Sequence, residues 1–128
     1  MSHQTEIRVR FYELDPYDHV NHTNYLAYFE TARVEYLTDI GFGMDVLKTS
    51  GFQIVVVGLK ARFLATAGLR DVLRVTTSVS EMGRVASTWN QEMRRADELI
   101  ATLEVKAAFT DLNGRPRRIP DDFAAAVT

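Results

Sequence analysis

The chain has 128 residues, of which 46% are hydrophobic, 10% aromatic and 25% charged, the balance of a folded globular protein and not of a disordered or fibrous one. Fifteen Lys and Arg against seventeen Asp and Glu leave a net charge of -2, which argues against a broad basic surface for nucleic acid or anionic membrane; an anionic ligand needs a local patch. With no Cys, disulfides, thiolate nucleophiles, Cys-ligated zinc and iron–sulfur clusters are excluded, and any chemistry must use oxygen or nitrogen groups.

At this length folding buries roughly two thirds of the unfolded chain's surface, enough for one domain over residues 1–128 without metal or disulfide staples. No apolar stretch approaches the roughly 18 residues of a spanning helix, so the expectation is a cytoplasmic protein with no membrane insertion. Glu6 to Tyr12 alternates, with Ile7, Val9 and Phe11 on one side, and reads as a strand. Asp15-Pro16 and the polar run Tyr17 to Asn24 read as a loop leading into a helix start. From Asn24 the period becomes helical through Tyr25, Phe29, Ala32 and Tyr36, with Leu26, Val34 and Leu37 widening the apolar face and Gly41 as C-cap. A short helix over Met44 to Thr49 and four strands, Gln53 to Leu64, Val72 to Val79, Val85 to Met93 and Leu99 to Phe109, complete a β-α-β-β-β-β order. Asp111 to Arg118 reads as a turn and basic tail, and the final AAAVT as frayed. One helix cannot cover both faces of a five-stranded sheet, which predicts association into at least a homodimer.

The motifs of serine-hydrolase elbows, P-loops, dinucleotide folds and zincins are all missing. Polar groups concentrate instead at Asp15, Asp18, His19, Asn21, His22 and Asn24, in the loop feeding the long helix. A helix start offers unpaired amides and the positive end of the macrodipole, so a carboxylate a few residues upstream supplies a nucleophile or base beside donors for an oxyanion. The plainer alternative makes Asp15-Pro16 a turn and Asn21, Thr23 or Asn24 an N-cap. A metal site at Asp15, Asp18, His19 and His22 is a third reading, weakened by the lack of any known ligand spacing. Glu30 is a rival general base, against which stands an ion pair with Arg33 at i, i+3; Glu35 is open to the same choice.

The segment Phe11 to Arg33, FYELDPYDHVNHTNYLAYFETAR, resembles the opening motif of the 4-hydroxybenzoyl-CoA thioesterase family, acyl-CoA thioesterases of the hotdog fold. The resemblance implies an α+β fold, a five-stranded antiparallel sheet wrapped around one long helix, over nearly the whole chain. It implies Asp15 as the catalytic carboxylate, and substrate binding around His19-Val20-Asn21, Tyr25 and the backbone amides of His22 to Asn24. Ala61 to Ala67, with Phe63 and Thr66, resembles the strand segment along the pantetheine arm, and Asn113-Gly114-Arg115-Pro116 with Ile119-Pro120 the family's closing turn. Two departures stand out: Asp18 replaces the usual Gly, and Ala65 or Thr66 stands where many relatives have Pro. Neither metal nor cofactor is implied. The expected partners are an acyl-CoA substrate and further copies of the chain, as homodimer or homotetramer. The rivals are an acyl-carrier-protein thioesterase, a hotdog dehydratase, whose Asp/His spacing is absent, and a noncatalytic acyl-CoA binding protein, against which Asp15 argues. Arg84, Arg115, Arg117 and Arg118 are the strongest local concentrations of positive charge for CoA phosphates.

Overall fold

A computed structural model describes residues 2–127. Five strands, β1 (Ser2–Arg8), β2 (Phe52–Phe63), β3 (Val72–Met82), β4 (Ala86–Arg95) and β5 (Glu98–Asp111), form one sheet in the order β1-β3-β4-β5-β2, every neighbouring pair antiparallel. The long helix α1 (His22–Asp39) packs on one face, flanked by α2 (Met44–Thr49) and α3 (Asp121–Val127). The expected hotdog architecture is therefore present.

Strict alternation places Leu73, Val75 and Thr77 of β3, Trp89, Gln91 and Met93 of β4, and Leu103, Val105, Ala107 and Phe109 of β5 on the buried face. Tyr25, Tyr28, Phe29, Ala32, Tyr36 and Leu37 of α1 meet them in one core. A buried amide joins the two layers: Gln91 Nε2 donates to the Phe29 carbonyl at 2.9 Å and to Thr77 Oγ1 at 3.0 Å, while its Oε1 accepts from Arg33 Nη1 at 2.8 Å. Arg33 thus bonds across to the sheet, and among the described residues it forms no ion pair with Glu30. Burial lowers the Arg33 guanidinium pKa, with the Glu30 charge opposing.

Helix α1 ends as its sequence predicts. Gly41, at φ 87°, donates to the Thr38 carbonyl, and Phe42 donates to Leu37, the paired bonds of a Schellman motif. At the same end His3 Nε2 lies 2.7 Å from Asp39 Oδ2, and its ring stacks on Tyr36, tying β1 to the helix.

Two expectations need correcting. The first strand starts earlier and stops at Arg8, before a 3-10 turn at Phe11–Glu13; Phe11 is 75% exposed. The turn wins because the Glu13 carboxylate takes the Arg10 amide at 2.8 Å, a capping bond no strand partner offers. The C-terminal segment is not frayed up to Val127 but forms α3. Phe123 is fully buried against Phe42 and Phe109, and Tyr36 Oη donates to the Val127 carbonyl at 3.2 Å. Thr128 lies outside the described residues.

Candidate active site

The loop between the 3-10 turn and α1 is built around Asp15. Its Oδ1 accepts from the Tyr17 amide at 2.8 Å and the His19 amide at 3.1 Å, and its own amide donates to the His19 carbonyl at 2.7 Å. Among the described residues no protein donor reaches Oδ2. The turn that closes the loop puts Asp18 at φ 62°, a left-handed conformation that glycine adopts freely and aspartate tolerates. This is the backbone reason that a glycine suits the position where this chain carries Asp18.

Asn21 is the N-cap of α1: its Oδ1 takes the Thr23 amide at 3.0 Å and the Thr23 hydroxyl at 2.8 Å. The Asn24 amide is occupied as well, donating to the Asn21 carbonyl at 2.9 Å. Of the three amides expected to face a substrate carbonyl, that of His22 alone has no acceptor among the described residues. The helix therefore presents one free donor at its positive end.

A cavity of about 260 Å³ collects Asp15, His19 and His22 with Tyr25, Phe63, Leu64 and Thr66. Phe63 packs edge-on to His22 at 5.1 Å and tilted against Tyr25 at 5.4 Å. Tyr25 Oη accepts the Ala67 amide at 3.0 Å. Burial raises the Tyr25 phenol pKa, opposed by that amide and by Arg95 and reinforced by Asp15, so the hydroxyl keeps its proton. Asp15, His19, His22, Tyr25, Phe63 and Thr66 are thus brought together. Asn21 and Asn24 are not in the cavity lining; Asn24 Nδ2 donates to the Glu13 carbonyl at 2.9 Å.

The arginines expected to meet phosphates lie elsewhere. Arg84 sits in the β3–β4 hairpin, its carbonyl accepting from Ile119, and Arg117 stacks over Phe52 at 5.6 Å. Arg118 reaches Asp121 at 3.6 Å, both side chains exposed. Phe52 and Phe63 are opposite ends of β2, roughly 35 Å apart at the rise of an extended strand.

Sequence reasoning missed a second support of the cavity. Asp71 Oδ2 accepts from the Gly68 amide at 2.8 Å and from Arg95 Nη1 at 2.7 Å, and Arg95 also donates to the Thr66 carbonyl. These bonds hold residues 66–71, whose Ala67 carbonyl takes the Val20 amide at 2.9 Å. Nothing in the local pattern pairs Asp71 with a residue 24 positions away.

A larger cavity, about 630 Å³, lies between α1, α2 and the start of β2, lined largely by apolar groups such as Val34, Leu37, Phe52 and Trp89 with Glu30 and Arg33.

The five-stranded antiparallel sheet packed on one long helix is the architecture of hotdog-fold proteins, and the relatives of the chain define its class as thioester hydrolases. The chain belongs to the thioesterase-like superfamily, whose family model matches residues 9–127. It is 32% identical over 122 residues to Acyl-CoA thioesterase YbgC of Haemophilus influenzae, covering 94% of this chain and 90% of that one. Among solved structures, a hypothetical protein from Aquifex aeolicus superimposes with a TM-score of 0.94 at 27% identity, covering 98% and 99% of the two chains. A probable thioesterase from Bartonella henselae gives 0.89 at 28%, covering 94% and 100%.

Proposed function

We propose that the chain hydrolyses acyl-CoA thioesters, R–CO–S–CoA and water giving R–COOH and CoA–SH, as a member of the 4-hydroxybenzoyl-CoA thioesterase branch. The reading rests on one observation above all: Asp15 and His22, whose amide has no acceptor among the described residues, line the same cavity. In this reading the thioester carbonyl oxygen accepts from the His22 amide, where the helix end favours the negative charge that develops on it. Asp15 either attacks the carbonyl carbon or takes a proton from the attacking water, and the thiolate leaves. Tyr25 and Phe63 supply the apolar wall that keeps bulk water from the carbonyl. The resemblance to a protein named for acyl-CoA hydrolysis supports the choice of thioester.

The β2 edge supports a homodimer, or a tetramer built from it. Among the described residues its outer backbone has no strand partner along its 12 residues, and Val55, Val56, Val57 and Leu59 are exposed on it. A two-fold axis normal to the sheet keeps both α1 helices on one side and runs the two β2 strands antiparallel. The Phe52 end of one protomer, with Arg117 and Arg118, then falls beside the Phe63 end of its partner. The phosphate-binding arginines would so reach the Asp15 cavity across the interface.

Thiol release from a panel of acyl-CoA esters, with an acyl-carrier-protein ester alongside, tests the reaction. Asp15→Asn is expected to fold and to lose at least about 10²-fold in kcat. Near wild-type turnover in Asp15→Asn with loss in Glu30→Gln would move the chemistry to α1, and binding without any turnover would make the protein an acyl-CoA carrier.

A further inference from the structure

Glu13, two residues before Asp15, is 8% exposed. Its Oε1 accepts from the Arg10 amide at 2.8 Å and from Tyr28 Oη at 2.8 Å, and its Oε2 accepts from Arg10 Nη1 at 3.2 Å. Its peptide carbonyl accepts twice more, from the Asn21 amide at 3.0 Å and from Asn24 Nδ2 at 2.9 Å. One residue thus bonds to the segment before the loop, to the N-cap of α1, and to that helix two turns in.

The hydrogen bonds of Asp15, by contrast, stay inside its own loop: all its partners lie between Tyr17 and His19. Those bonds close the loop on itself and do not reach the helix start. The hydrogen bonds that fix its position are those at Glu13 and the one from the Val20 amide to the Ala67 carbonyl, alongside the buried Val20 side chain and Leu14 packed on the core. The productive distance between Asp15 and a carbonyl held on the His22 amide is therefore set in part through Glu13. Burial, and then the bond to the Glu13 carboxylate, raises the Tyr28 phenol pKa, so this hydroxyl stays a donor throughout the working pH range.

We propose that the Glu13 side chain is a positioning group for the hydrolysis, holding the Asp15 loop in register with the free His22 amide through Tyr28 and Arg10, while the bonds of its carbonyl to Asn21 and Asn24 persist in every side-chain variant. This rests on the Asp15 reading. A displacement of about 1 Å between reacting groups costs on the order of 10²-fold in rate, whereas the cavity that binds the acyl group is lined by other residues. The effect of losing Glu13 therefore falls on kcat and spares KM.

The test is steady-state kinetics of Glu13→Ala, Glu13→Gln and Tyr28→Phe on an acyl-CoA ester turned over by wild type, with a melting temperature for each and Asp15→Asn in parallel. Glu13→Ala is expected to lose about 10- to 100-fold in kcat with KM changed by less than about threefold. Glu13→Gln, which keeps an acceptor for the Arg10 amide and Tyr28, should recover most of that loss. Tyr28→Phe deletes one oxygen and leaves the core ring, so it tests the link even where Glu13→Ala does not fold; it should lose kcat by about three- to tenfold. Folded Tyr28→Phe and Glu13→Gln both at wild-type kcat, a loss that appears in KM, or no rescue by Gln in a folded protein would overturn the proposal. Turnover retained in Asp15→Asn would instead remove the Asp15 reading, whatever the Glu13 variants do.

Discussion

At the scale of single residues, Asp71 shows how one carboxylate can hold a cavity wall without touching it. Burial opposes its charge, yet the Gly68 amide and Arg95 outweigh that and hold its pKa below the ordinary carboxylate value. A carboxyl lowered on folding stabilises the protein above its unfolded pKa, and the contribution disappears as pH falls through the folded value. Asp71→Asn should therefore melt lower than wild type at pH 7, with the gap narrowing as the pH drops below about 4. A gap independent of pH would assign the loss to packing. The residue scale was also where reading the chain worked unevenly. Asp15, Asn21 and Asn24 carried one signal, a polar loop ahead of a helix; Asn21 is the N-cap, as the plainer alternative had it, and Asn24 bonds the Glu13 carbonyl.

Among the elements, β2 carries the largest unmet demand. Its outer edge exposes backbone donors and acceptors beside Val55, Val57 and Leu59, and β5 covers the other edge alone. The pairing skips Val57, where a bulge interrupts the register between Val56 and Gly58. A charge placed there opposes edge-to-edge association, so Val57→Lys should shift the sedimentation mass from at least two chains toward one and reduce activity with it. A wild-type mass of one chain at full activity would exclude the interface. The elements were legible where periodicity is long: α1, β3 and β5 follow from spacing alone. Helix α3 was not, since a stretch of alanines shows no amphipathic period, and only the seat of Phe123 between Phe42 and Phe109 makes it worth ordering. Burying such a ring is worth on the order of 3 kcal/mol or more, enough to hold a seven-residue helix that would not persist by itself.

Over the whole molecule, the Asp15 cavity at Phe63 and the arginines around Phe52, which the proposed function makes the two halves of a CoA site, lie at opposite ends of one strand. Removing charge at Arg117 and Arg118 together should raise KM for acyl-CoA, more at low salt than at high, and leave kcat near wild type, because phosphates are held equally in ground and transition states. Unchanged KM at low salt would put the nucleotide elsewhere. The amino-acid order by itself determined the alternation of strands, the capped helix and the carboxylate-bearing loop ahead of it, because each depends on contacts within a few residues. Only the tertiary structure decided which helix amide stays free, that Glu13, Asp71 and Arg95 brace the loop, and that the arginines sit an entire strand away. Those depend on which residues the sheet order and the core bring together, and separations such as Asp71 to Arg95 or Glu13 to Tyr28 leave no periodic trace along the chain.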